Sequence, residues 1–155
     1  MSVRTKTGCD GCSRRALLKG LGLAALGPLV LASSDCTTVG TPDTGTATTC
    51  SGGLCIDLAD ATNAALAATN GSLLIDAPSD TLIVIRKSST TVVALSAVCT
   101  HAGCLVGFQQ SSQTVYCNCH GSEFAEDGHV LGGPARRALR VYSATLADPL
   151  ITIAI

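Results

Sequence analysis

Cys99-Thr100-His101-Ala102-Gly103-Cys104 and Cys117-Asn118-Cys119-His120-Gly121-Ser122-Glu123-Phe124 are the two stretches that decide how this chain reads. Each offers a Cys and a His with one or two residues between them, and each adds a second Cys. Fifteen residues separate His101 from Cys117, so two neighbouring loops can each supply one thiolate and one imidazole. Two thiolates with two imidazoles suit zinc or an iron–sulfur centre. A zinc finger normally keeps its two cysteines in one short spacing and its two histidines in another. Here each loop instead holds a mixed pair. A [2Fe–2S] centre with imidazole on one iron takes thiolates on one iron and imidazoles on the other. Two mixed loops facing each other across a cluster deliver that split. A zinc-stabilised binding module without redox activity is the competing reading.

Working outward, the 155 residues suffice for one domain and a tail. Hydrophobic residues make up 46% and charged residues 14%, a balance that excludes a disordered chain. There is no Trp, and Phe108, Tyr116, Phe124 and Tyr142 are the only large rings, so the core must be mainly aliphatic. Apolar, β-branched runs at 73–75, 82–85 and 91–95 are separated by Pro78-Ser79-Asp80 and Ser88-Ser89-Thr90. Such spacing predicts strands joined by tight turns. Further strands are predicted at 114–117, 138–142 and 150–155, and one short helix over the Ala-rich stretch 57–68 with an Asp cap. Many short strands at close spacing argue an all-β sandwich or barrel.

The first 19 residues carry five of the ten bases, whereas from Cys36 onward five bases face nine acids. That distribution gives no basic footprint for nucleic acid. The basic end reads as an address. Ser13-Arg14-Arg15-Ala16-Leu17-Leu18-Lys19 runs into an apolar stretch and resembles the twin-arginine export signal of bacteria, with Leu in place of the usual bulky ring. The apolar run from Gly20 to Ser34 is 15 residues, short of the roughly 20 a spanning helix needs. Residues 1–35 are therefore a signal, or an anchor in the form of a short N-terminal helix. Cys36 stands where a lipoprotein cysteine would be acylated, although Ser33-Ser34-Asp35 makes a poor lipobox. If it carries a lipid, Cys50 and Cys55 can pair. Cys9 and Cys12 precede the twin arginines and receive no role. Residues 36–54, rich in Thr, Gly and Pro, read as a linker ahead of a domain at 55–155.

The two cysteine–histidine stretches resemble the Rieske iron–sulfur signature, in the form found in cytochrome bc complexes and their relatives. Gly128-His129-Val130-Leu131-Gly132-Gly133-Pro134-Ala135 resembles that family's strand and proline loop, and the likeness runs from about Asp57 to Ile155. The resemblance implies a Rieske-type antiparallel β sandwich or barrel with a small cluster-binding subdomain and one [2Fe–2S] cluster per chain. It implies Cys99 and Cys117 on the buried iron, His101 and His120 on the outer iron, and a Cys104–Cys119 disulfide joining the loops. Ser122 would donate a hydrogen bond toward a bridging sulfide, and Gly133-Pro134 would cover the cluster as a third loop. Phe124 stands where respiratory members often carry Tyr, so one hydrogen bond is missing. The family's oxygenase-type ferredoxins lack the second cysteine of each loop. Cys104 and Cys119 therefore point away from that branch and toward an oxidising compartment.

The function implied is one-electron transfer by an exported carrier or by a subunit of a redox complex. The sequence offers no nucleophile–base pair, so the chain reads as no enzyme by itself. The implied partners are a cytochrome or a catalytic oxidoreductase subunit, in a quinol–cytochrome c reductase-like or arsenite oxidase-like setting. The twin-arginine translocase joins them, and the implied location is the bacterial periplasm in association with the membrane. His129 matches no ligand position. Arg136, Arg137 and Arg140 follow the proline loop and read as a solvated face, with partner docking as the alternative.

Overall fold

The computed structural model describes residues 43–155. In chain order the strands are β1 (Thr48–Cys50), β2 (Gly53–Asp57), β3 (Ser72–Ala77), β4 (Asp80–Arg86), β5 (Val92–Ser96), β6 (Gly107–Gln109), β7 (Thr114–Cys117), β8 (Ser122–Phe124), β9 (Val130–Gly132), β10 (Val141–Tyr142), β11 (Ala144–Ala147) and β12 (Leu150–Ile153). They form three four-stranded antiparallel sheets, ordered β1-β2-β12-β11, β10-β5-β4-β3 and β6-β7-β8-β9. A 3-10 helix, Ala61–Ala67, joins β2 to β3. The fold is all-β, as the strand spacing predicts.

The runs at 73–75 and 82–85 are apolar without interruption because the sheet they build is covered on both faces. Successive side chains alternate across a strand. Leu73, Ile75, Leu82, Val84 and Ala94 thus face one core, with Leu54 and Ile56 of β2, Ile151 and Ile153 of β12, and Leu66 of the helix. Leu74, Ile83, Ile85 and Leu95 face the other, with Val106, Val115 and Phe124 from the third sheet and its approach. One short sequence therefore anchors both the supporting sheet and the sheet that carries the two cysteine–histidine loops. A polar latch reinforces the second junction. Lys87 Nζ donates to Gln113 Oε1 at 2.5 Å and to Asn70 Oδ1 at 3.4 Å, pairs with Glu126, and lies 5.5 Å from the centroid of the Phe108 ring.

The helix begins where its sequence provides a cap. Asp60 accepts a hydrogen bond from the Thr62 N–H at 2.9 Å. Asn63, 1% exposed, is the hub of this corner. Its Oδ1 accepts from the Thr46 N–H at 2.8 Å, and its Nδ2 donates to the carbonyls of Thr46 and Asp57, both at 2.9 Å.

The structure departs from the sequence expectations at three places. Residues 43–54, expected to be linker, belong to the folded body. Thr44 bridges Leu74, the Gly45 N–H donates to the Leu74 carbonyl at 2.8 Å, and a Cys50–Cys55 disulfide closes the β1–β2 hairpin. Thr48 and Thr49 are exposed on an edge strand, so no apolar alternation marked it. Of the strand expected at 138–142 only Val141–Tyr142 is strand; before it the Arg140 carbonyl still accepts from Ser96 N–H of β5 at 2.8 Å, but Leu139 N–H turns to Gly128 O in a loop, at 2.9 Å. The last strand stops at Ile153. The expected signal or anchor at 1–35, and Cys36, lie outside the described residues. No described helix is long and apolar enough to cross a membrane.

Asn63→Ala leaves the Thr46 N–H and two carbonyls without their buried partner. It should cost about 1–3 kcal/mol, seen as a lower urea midpoint at unchanged slope. An unchanged midpoint would show that this corner contributes nothing.

Candidate metal centre

The two loops are built alike. The Gly103 N–H donates to the Cys99 carbonyl at 2.9 Å, and the Gly121 N–H donates to the Cys117 carbonyl at 3.0 Å. Each loop thus closes on a glycine four residues after its first cysteine. Gly103 has φ +78° and Gly121 φ +75°, a region that side-chain-bearing residues avoid. The first loop extends from β5 and returns through Cys99 N–H to Cys104 O at 2.8 Å; the second is the β7–β8 turn. A disulfide joins Cys104 to Cys119 across the two loops.

That bond decides which sulfurs remain for a metal. The Sγ atoms of Cys104, Cys117 and Cys119 lie within 4.8 Å of one another, but the first and third are bonded together. Among the described residues the free thiols are Cys99, 3% exposed, and Cys117, 1% exposed. Both belong to the second core, beside Val115 and Phe124. His101 and His120 are both exposed, with ring centroids 4.8 Å apart in an edge-to-face arrangement at 84°. Each loop therefore sends its sulfur inward and its imidazole outward.

Electrostatics at the sulfurs follow from this burial. Burial pushes the Cys99 thiol up, yet hydrogen bonds from the His101 N–H, the Cys117 thiol, the Ser122 hydroxyl and the Ala102 N–H outweigh it and hold Cys99 below its ordinary value. Cys117 is pushed up by burial and by the neighbouring Cys99, against opposing N–H groups of Cys119 and His120. Four backbone N–H groups, from residues 101, 102, 119 and 120, thus serve the two sulfurs. Such donors stabilise negative charge on sulfur and raise the potential of any redox metal held there.

A third loop covers the site. Ser122 is fully buried, and its Oγ accepts from the Ala135 N–H at 3.1 Å while its hydroxyl is directed to Cys99. Gly133 packs so closely on the second loop that a Cβ there would lie 2.3 Å from the Gly121 carbonyl oxygen. Pro134 follows, exposed, and with Thr100, His101, Arg136 and Arg137 it lines one cleft. Phe124 is fully buried in the core shared by Cys99 and Cys117 and brings no hydroxyl. His129 stands apart, exposed and paired with Asp127.

The structure brings together Cys99, His101, Cys117, His120, Cys104, Cys119, Ser122 and Gly133, and leaves His129 out. Sequence reasoning missed two supports. One is the pair of glycines at the fourth position after Cys99 and Cys117, a repeated spacing that was there to be read. The other is Thr100, whose hydroxyl donates to the Arg137 carbonyl at 2.6 Å and ties the first loop to the segment after the third. No sequence signal marked that long-range contact.

The donor set fits a centre that needs two sulfur ligands on its protected side and two nitrogens on its open side. An all-β body with two disulfide-locked cysteine–histidine loops defines a metalloprotein of mixed thiolate and imidazole donors. The Rieske [2Fe-2S] domain family matches residues 61–143. The chain belongs to that family, and its cofactor is a [2Fe–2S] cluster; the zinc module falls away. The chain is 31% identical over 86 residues to the cytochrome b6-f complex iron-sulfur subunit of Chlorobaculum tepidum, covering 56% of this chain and 48% of that one. It is 44% identical over 66 residues to the corresponding subunit of Synechococcus sp. (strain JA-3-3Ab), covering 43% and 38%. The matched part thus spans less than half the length of these curated relatives. Among solved structures it is similar to the plasma membrane Rieske protein of Synechocystis PCC 6803, with TM-score 0.51 and 34% identity over 55% of this chain and 87% of that one.

Replacing Cys104 and Cys119 by Ser removes the bond between the loops and leaves all four unspent donors. The variant should lose iron to a chelator several-fold faster while its far-ultraviolet circular dichroism is unchanged. Equal rates of loss would show that the disulfide does not hold the loops together.

Proposed function

We propose that this chain transfers single electrons, with Cys99 and Cys117 holding the inner iron of the cluster and His101 and His120 the outer one. The observation that carries this reading is the division of the donors: two thiols inside an apolar core, two touching imidazoles in solvent. When bound, the cluster supplies a one-electron couple. The protein's part is to fix ligands on two braced loops, to keep water from the sulfur side, and to leave the imidazole edge open to a partner. Ser122 and the four loop N–H groups favour the electron-rich state, whereas Phe124 withholds a donor that a Tyr would add.

The names of the relatives support a setting in a membrane redox complex of the cytochrome b6-f kind, in which the chain exchanges electrons with a cytochrome or with a catalytic subunit. Export is part of the proposal. Ser13–Lys19 would route the chain through the twin-arginine translocase to the periplasm, and residues 1–35 would be its signal or anchor. The Cys50–Cys55 and Cys104–Cys119 disulfides suit that oxidising compartment. Of the six described cysteines four are in disulfides and the two free thiols are the proposed cluster ligands, so none of them is left as a partner for Cys36. This favours an acylated Cys36 and a membrane-associated domain. The mass of the mature N-terminus decides it: a lipid adduct supports the anchor and an unmodified Cys36 removes it.

Protein purified from its native host should contain about two irons and two acid-labile sulfides per chain, and should titrate as a one-electron couple in the positive part of the range of about −150 to +300 mV known for such centres. Ser122→Ala should lower the midpoint and Phe124→Tyr should raise it. A midpoint well below zero, or shifts of the opposite sign, would overturn the assigned roles.

A further inference from the structure

The described body is acidic, with five bases against nine acids between residues 43 and 155. Two of the five bases are internally committed. Arg86, 9% exposed, donates to the carbonyls of Leu66, Ser88 and Ser89, and Lys87 is paired with Glu126. The other three, Arg136, Arg137 and Arg140, are exposed and lie within five residues of one another. Among the described residues no acidic side chain lies within ion-pair distance of any of them, the ion pairs there being Lys87–Glu126 and His129–Asp127.

This arginine segment is not a loose loop. The Thr100 hydroxyl holds the Arg137 carbonyl at 2.6 Å, the Ser96 N–H holds the Arg140 carbonyl at 2.8 Å, and the Ala135 N–H is bound to Ser122 at 3.1 Å. The Arg140 guanidinium rests 4.8 Å from the centroid of the Tyr142 ring. Two clefts open beside His101. One, of about 450 Å³, includes Thr100, Pro134, Arg136 and Arg137 in its lining. The other, of about 570 Å³, includes Arg137, Arg140 and Asp80. Asp80 is the one acid in either lining, and its two oxygens already accept from the Tyr142 hydroxyl at 2.7 Å and the Ser96 hydroxyl at 3.1 Å. An exposed imidazole is therefore flanked by the body's uncommitted positive charge, while the molecule as a whole is negative.

We propose that Arg136, Arg137 and Arg140, beside His101, form the docking surface for an acidic protein partner in electron exchange. The inference rests on the electron-transfer reading above and adds the face and the chemistry of the partner. Three cations on a backbone-anchored segment of an acidic body make a charge asymmetry that orients an acidic surface toward the His101 edge and speeds encounter at low salt. The cations also discriminate against basic partners, which the rest of the body would attract elsewhere.

The test uses full-length, cluster-loaded protein in its reduced form. Stopped-flow oxidation by ferricyanide, a trianion, and by tris(phenanthroline)cobalt(III), a trication, is followed as ionic strength rises. The proposal expects the ferricyanide rate to fall with salt, although the net charge of the body alone would make it rise. The triple variant Arg136→Gln, Arg137→Gln, Arg140→Gln should lose about tenfold of that rate at low salt without slowing the cobalt reaction. Calorimetric titration with redox-inert hexacyanocobaltate(III) should show binding to the parent and not to the variant, with or without electron transfer. A ferricyanide rate that rises with salt in the parent overturns the proposal and needs no variant. Equal anion binding in both proteins also overturns it. So does binding to phosphatidylglycerol vesicles that the triple variant loses while ferricyanide kinetics stay the same, which would assign the arginines to a lipid surface. Absence of any one-electron couple would instead remove the electron-transfer reading on which this one stands.

Discussion

Everything at the functional end depends on one division: sulfur inside, nitrogen outside. Cys99 and Cys117 share an apolar core with Val115 and Phe124. His101 and His120, from the same two loops, stand in solvent with their rings 4.8 Å apart. A thiolate in such a core is costly unless something answers its charge. Backbone N–H groups from residues 101, 102, 119 and 120 answer part of it, and a cation bound between the sulfurs would answer the rest. The exposed rings face the opposite requirement, since an edge that exchanges electrons with a second protein has to be reachable. One loop design, used twice, satisfies both by turning sharply at Gly103 and Gly121.

Holding that design in place is the work of the middle sheet. Ile83 and Ile85 support the core that contains the two cysteines, while Leu82 and Val84, one residue out of phase, bury themselves against β2 and β12. Any slip of register would exchange the two faces. The disulfide between Cys104 and Cys119, the close contact of Gly133 with Gly121, and the Thr100–Arg137 hydrogen bond then brace the loops against one another. The third sheet thus acts as a platform: the core below positions the sulfurs and the braces above position the imidazoles.

Much of this was legible in the residues, for identifiable reasons. Metal ligands must be of particular chemical types at short spacings, so Cys99, His101, Cys117 and His120 stand out in a single sequence. The apolar runs at 73–75 and 82–85 announced strands, while their coverage on both faces became visible only in the packing. Edge and loop elements were less visible. β1, with Thr48 and Thr49 exposed, has nothing apolar to alternate, so a Thr- and Gly-rich strand passed for linker. Residues 138–140 have strand-like composition, but Leu139 donates to Gly128 in a loop and only the Arg140 carbonyl reaches β5, at Ser96. Asn63, which binds the helix to both Thr46 and Asp57, could not be distinguished by sequence from any other polar residue on an Ala-rich helix. Long-range polar contacts of that kind leave no local trace.

The most direct test of the ligand division is pulsed electron paramagnetic resonance on the reduced protein labelled with 15N-histidine, with the spectrum repeated on the His129→Asn variant. Coupling of the electron spin to two imidazole nitrogens, unchanged by the His129 substitution, is the predicted result. A reduced cluster with no histidine nitrogen coupling, or with one that disappears together with His129, would contradict the account.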